Sequence, residues 1–150
     1  MVTSALAAAA MTRPRRRILS RMPMFILPVL LYVVVALSVT NVRATFFSIG
    51  PYALSWVEVL YLLGFFVAMF ELLRVAHPGV DNTGEALRML FVAVAMLVLF
   101  VLGAAGLPVL QIFNNTEFLI LLMVSATQVV LAFFINSATL KRSIGMSEEG

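Results

Sequence analysis

The sequence contains no cysteine and only one histidine, His77, among its 150 residues. Without cysteine, the chain can form neither a disulfide nor a thiolate metal site, and it has no cysteine nucleophile. A single histidine also excludes a multi-histidine zinc site or a bis-histidine haem site within one chain. The sequence therefore predicts no metal and no cofactor.

Charged residues are scarce as well, at 11% of the chain against 63% hydrophobic residues. A soluble domain usually carries about a quarter charged residues. The net charge is only +3, and the basic residues stand beside apolar runs rather than on a soluble face, so we predict no nucleic-acid partner. The composition favours a membrane protein, with the lipid bilayer as its first partner.

Four apolar runs are long enough to cross a bilayer, because about 20 helical residues span its hydrocarbon core of about 30 Å. We therefore expect an all-α integral membrane protein with four transmembrane helices in an antiparallel bundle. In the first run, Pro28 removes a helical donor and predicts a bend near the inner end. The transmembrane domain is expected over residues 22–140, with spans at 22–40, 52–73, 87–103 and 118–139.

Basic residues predict the orientation of these spans, because short segments rich in Arg and Lys stay in the cytoplasm. If all four runs cross, nine basic residues lie inside and Arg43 alone lies outside. Both termini, residues 1–21 and the short tail 141–150, are therefore expected in the cytoplasm. The main determinants form a cluster directly before the first span: Arg13, Arg15, Arg16, Arg17 and Arg21.

The first ten residues are small and uncharged, and the sequence from Met11 onward looks more like an ordinary amino terminus. Either Met1 or Met11 is therefore the start, and we expect residues 1–10 to be disordered. The loops between the spans are short and the domain is minimal, which favours the cytoplasmic (inner) membrane of a bacterium.

Polar residues recur at helical spacing inside the fourth apolar run. On a helix that advances 100° per residue, five small or polar positions fall within about 80° of one another. An amide that faces lipid tails is left without hydrogen bonds, so these positions should face another helix or water. Gln128 lies near the middle of the run, where an amide without a hydrogen-bond partner would cost most. We call this set the polar stripe: Ser125, Gln128, Ala132, Asn136 and Thr139.

The second run carries charge at two places. Glu58 lies six residues into the predicted span, about 9 Å along the axis, where a carboxylate is costly unless it is paired, protonated or hydrated. It either reaches Arg43 or water, or acts as a proton- or cation-binding group. At the other end, Glu71 and Arg74 are three residues apart and are expected to pair at the inner interface.

We predict no enzymatic activity. A catalytic histidine needs an oriented partner and a pocket, and Ser125 in mid-membrane is far from His77 at the inner edge. The chain is expected to be an accessory or scaffold subunit, or a self-associating bundle, that forms a homo-oligomer or joins other membrane proteins. Within the bundle, the small residues Gly64 and Ala68 offer the polar stripe a surface for close approach.

The alternative is an oligomeric pore or small transporter, holin-like or proton-coupled, with the polar stripe or Glu58 facing water. Small multidrug transporters are also four-span chains, but the membrane carboxylate that couples transport lies in their first span. Here the first span has no acid and Glu58 lies in the second. The resemblance is therefore confined to architecture.

Overall fold

A computed structural model describes residues 22–39, 41–77 and 82–148, and this part of the chain is mostly helical. The predicted basic cluster of residues 13–21 and the segment 1–10 lie outside the described residues. Four α-helices, one β-hairpin and one 3-10 helix follow one another in the described ranges. Their bounds are α1 Ile26–Ser38, β1 Thr45–Ile49, β2 Tyr52–Ser55, α2 Trp56–Val75, α3 Asn82–Ala104, the 3-10 helix Pro108–Phe113 and α4 Thr116–Glu148.

Three of these helices are long and apolar enough to cross a membrane, over Trp56–Val75, Thr83–Ala104 and Thr116–Thr139. Large apolar side chains stand on their outer surfaces, as shown by Phe91 at 75% and Phe134 at 70% exposure. Soluble monomers rarely carry apolar patches of this extent. The expectation of long apolar helices is therefore confirmed for three of the four runs, and these helices are compatible with an integral membrane protein.

The first helix is shorter than its apolar run and begins where a bend was predicted. Its 13 residues extend about 20 Å at 1.5 Å per residue. Because α1 begins at Ile26, Pro28 lies in the first turn, where a missing N–H is tolerated. The carbonyl of Met24 accepts a hydrogen bond from the N–H of Leu27 at 2.9 Å. Pro28 therefore lies at the start of a helix rather than at a bend inside one.

A β-hairpin occupies residues that we expected to form a loop and the first turn of the second span. Ile49 pairs with Tyr52 across the two-residue turn Gly50-Pro51. Gly50 has φ +58°, a conformation that glycine adopts without steric cost and that tight hairpin turns require. The second helix consequently begins at Trp56 rather than at Tyr52.

Helix α4 makes the most extensive contacts of the bundle. It packs along both α2 and α3, whereas α2 and α3, which follow each other in sequence, touch only slightly. Helix α1 packs on α2 and contributes Tyr32 to the main core, beside Leu60, Met96 and Phe118. Helices α3 and α4, which follow each other in sequence, are therefore also packing neighbours, whereas α2 and α3 are in only slight contact.

The connection between α3 and α4 passes very close to α3 at Gly103. A Cβ atom at Gly103 would lie 2.5 Å from the main-chain oxygen of Leu110 in the 3-10 helix. At Gly64, in contrast, an added Cβ would meet the Cδ2 methyl of Leu121 on α4 at 3.1 Å. Both glycines permit close approach, but only the neighbour of Gly103 is rigid main chain.

Gly103→Ala is therefore expected to destabilise the fold, and Gly64→Ala is its matched control. Overpacking usually costs about 1–3 kcal/mol, while replacing a helical glycine with alanine gains about 0.5–1 kcal/mol. We expect a net loss for Gly103→Ala and almost no change for Gly64→Ala, because the Leu121 side chain can move. SDS titration in mixed micelles measures both free energies of unfolding, and equal values for the two variants would contradict this packing.

Candidate functional site

Glu71 lies near the end of α2, with only 2% of its surface exposed. One carboxylate oxygen, Oε2, accepts a hydrogen bond from the side-chain amide of Gln128 on α4. The other, Oε1, accepts from the main-chain N–H groups of Met24 and Phe25, the latter at 3.3 Å. These groups join α2, α4 and the entry to α1, and we call them the buried polar centre.

The buried polar centre provides acceptors for the N–H groups that lead into α1. Phe25, the N-cap residue of α1, provides no side-chain cap, and the N–H groups of Ile26 and Leu27 donate to main-chain oxygens just before the helix. The Glu71 carboxylate accepts from the two preceding N–H groups, those of Met24 and Phe25, and a negative charge is favourable at this end of the helix dipole. Such charge-assisted hydrogen bonds are stronger than neutral ones and offset the cost of burying the carboxylate.

The expected pair between Glu71 and Arg74 stays a prediction, and each of the two side chains has a further partner on another helix. Glu71 shares the buried face of α2 with Gly64, Ala68 and Val75, so its side chain points into the bundle. Arg74 lies off this face, and its Nη2 is 3.0 Å from Oε1 of Glu85 on α3.

The same carboxylate of Glu85 also receives Nη1 of Arg88 at 2.7 Å. Glu85 is itself 8% exposed and lies in the first turn of α3. The ion pair between Arg74 and Glu85 links α2 to α3 at the end of the bundle where these two helices are connected. The pair between Arg88 and Glu85 lies within α3. His77, just beyond α2, is exposed at this end.

The structure divides the polar stripe into a buried part and a peripheral part. Ser125, Gln128 and Ala132 are 1%, 2% and 0% exposed. Asn136 is half-buried and donates through Nδ2 to Oγ1 of Thr83 on α3 at 3.1 Å. The last member of the stripe, Thr139, is exposed and its hydroxyl donates to a main-chain oxygen of its own helix at 2.9 Å.

Glu58 occupies the third position of α2 and caps that helix. Its Oε2 accepts from the N–H and the hydroxyl of Ser55 at 2.7 and 2.8 Å, and the hydroxyl oxygen of Ser55 accepts from the N–H of Glu58 at 3.4 Å. This reciprocal arrangement is a capping box. Because α2 begins at Trp56 rather than at Tyr52, Glu58 lies in the first turn of the helix and not six residues into it.

A second polar network closes the end of the bundle that carries the hairpin. Arg43, which precedes the hairpin, places Nε 2.5 Å from Oε1 of Glu117 in α4. The hydroxyl of Tyr32 donates to the main-chain oxygen of Ile112 at 2.6 Å and accepts from Nδ2 of Asn115 at 2.6 Å. These contacts fix the connection before α4 against α1 and the hairpin.

An open groove lies between α2 and α4 and has a volume of about 430 Å³. Its lining is apolar except for Thr127 and Gln128, and the amide of Gln128 already donates to Glu71. Within residues 22–39, 41–77 and 82–148, no three His, Asp or Glu side chains stand close enough together to hold a metal ion.

Comparisons with models of protein families, with curated proteins and with solved structures find no match to this chain.

Glu71→Leu removes the acceptor of three donors, two of them buried, and should both destabilise the protein and loosen the start of α1. Each unsatisfied buried donor costs about 1–3 kcal/mol, so we expect a loss of more than about 2 kcal/mol. Hydrogen exchange measured by mass spectrometry should become faster in peptides that contain Met24 and Phe25.

The matched control is Glu58→Leu, which removes a carboxylate that caps its own helix. Its cost should stay near the roughly 1 kcal/mol of a lost N-cap, and the faster exchange should be confined to the region of Ser55. Unchanged exchange at Met24 and Phe25 in Glu71→Leu would show that the carboxylate does not hold this segment.

Proposed function

We propose that this chain is a non-catalytic integral membrane protein that acts as an accessory or scaffold subunit, or as a self-associating bundle. The buried polar centre carries this proposal. It satisfies the amide of Gln128 inside one chain, so the remaining surface of the long helices presents mainly apolar side chains. Such a surface associates through shape and packing with lipid and with other membrane helices.

We further propose that α1 crosses the membrane with the three longer helices, so that both termini are cytoplasmic. Leu27, Leu30 and Leu37 on α1 are 56%, 60% and 71% exposed, as expected for side chains that face lipid. No charged residue interrupts residues 22–40. The excess of basic residues in the segments assigned to the inside supports this orientation, and the short connections favour a bacterial inner membrane.

The oligomeric pore or small transporter receives less support. Water-lining residues must be accessible, but Ser125 and Gln128 are 1% and 2% exposed within a single chain. Glu58 accepts hydrogen bonds from Ser55 at the start of α2. The groups on which a conduction path would depend are therefore already used within the fold.

The proposal predicts that the protein reconstituted in liposomes releases neither protons nor a trapped dye faster than empty vesicles. In mild detergent, the mass of the purified particle, after subtraction of detergent, should exceed that of one 16.4 kDa chain, because a scaffold exists in assembly. A leak that disappears in Glu58→Gln would establish the pore instead.

Gln128→Leu should lower the folded yield, because it leaves the carboxylate of Glu71 without its side-chain donor. The matched control is Thr127→Leu, since the neighbouring Thr127 is exposed and its hydroxyl donates to Met123 of the same helix at 2.8 Å. Fluorescence-detected size exclusion measures yield and particle size together. Equal yields and sizes for both variants would contradict the assigned role of Gln128.

A further inference from the structure

The three residue pairs next to the turn of the β-hairpin alternate between large and small side chains. Residues paired across an antiparallel ladder project to the same side of the sheet, and successive pairs alternate. The central pair, Ser48 with Ala53, is small and lies on one face. The pairs on either side of it lie on the other and form what we call the hairpin apolar face: Phe47, Leu54, Ile49 and Tyr52.

The hairpin apolar face is not covered by the described chain. Phe47 is 56% exposed, Ile49 69% and Tyr52 58%. A hairpin of two strands is marginally stable by itself in water, and exposing three large apolar side chains to water does not stabilise it. A favourable environment for this face must therefore come from outside the described residues.

The charge pattern indicates which environment this is. No charged residue occurs from 44 to 57, so the face lacks the ionic groups that commonly give a protein partner its orientation. Trp56 packs on Phe46 with ring centroids 4.4 Å apart, and Tyr52 lies on the face itself. Aromatic rings of this kind concentrate at the boundary between headgroups and acyl chains.

Exposed apolar side chains also follow along α2. This helix begins directly after β2, and Leu62, Phe65 and Phe66 are exposed along it. If these side chains meet lipid, the same leaflet extends to the hairpin. The unpaired edges of a two-stranded sheet cannot enter the hydrocarbon core, which limits the hairpin to the boundary zone.

We propose that the hairpin apolar face inserts into the acyl-headgroup boundary of the adjoining leaflet, so that the hairpin is a lipid-binding interfacial anchor. The inference rests on the proposed function, because lipid must surround α2 for a leaflet to be present. Arg43, whose side chain is 68% exposed, lies two residues before β1 and is suited to bind a lipid phosphate. The anchor holds the outer end of α2 at a fixed depth.

The absence of native cysteine makes nitroxide labelling the direct test. Ile49→Cys reports on the hairpin apolar face, and Ser48→Cys, one residue away on the opposite face, is its matched control. Phe66→Cys is the reference for a lipid-facing helix position. Each labelled chain is reconstituted in vesicles of phosphatidylcholine and phosphatidylglycerol, and its collision rates with oxygen and with a water-soluble nickel chelate are measured.

We expect the ratio of oxygen to nickel collisions at position 49 to be several-fold higher than at 48 and to approach that at 66. High nickel access at 49 with lipid-like values at 66 would overturn the anchor and leave the membrane protein intact. High nickel access at 66 as well would overturn the proposed function. Exclusion of both reagents at 49, with an immobilised spectrum, would identify a protein contact and likewise overturn the anchor.

Discussion

The structure depends on one constraint, which is that the carboxylate of Glu71 lies inside an apolar bundle and must keep its donors. A buried carboxylate without hydrogen bonds is far too costly to retain. Its donors come from Gln128 on α4 and from Met24 and Phe25 at the entry to α1. The requirement thus fixes the position of three helices along their axes, which apolar packing alone specifies poorly.

Other buried carboxylates of the described chain also have charged partners. Glu85 forms ion pairs with Arg74 and Arg88 at one end of the bundle, and Glu117 forms an ion pair with Arg43 at the other end. Between these ends, the outer surfaces of the long helices carry mainly apolar side chains. Polar contacts therefore set the geometry inside the bundle and at its two ends.

Sequence reasoning reached the polar stripe because helical spacing is a local property. It could not identify the partner of Gln128, because Glu71 lies 57 residues away and its nearest basic neighbour, Arg74, offered a simpler pair. The spacing of Glu71 from Gly64 and Ala68, which places all three on one face, was the signal available. The hairpin was missed because Gly50 and its proline indicate a turn without indicating that strands flank it.

A double-mutant cycle between Glu71 and Gln128 tests the central claim most directly. The free energy of unfolding is measured by SDS titration for the wild type, Glu71→Leu, Gln128→Leu and the double variant. Groups in direct contact typically show coupling energies of about 0.5–3 kcal/mol. In the double variant no Gln128 amide is left without its acceptor, while the N–H groups of Met24 and Phe25 lose their acceptor in Glu71→Leu and in the double variant alike and cancel in the cycle. We predict that the double variant loses at least about 1 kcal/mol less than the sum of the single losses. Strictly additive losses would contradict the account.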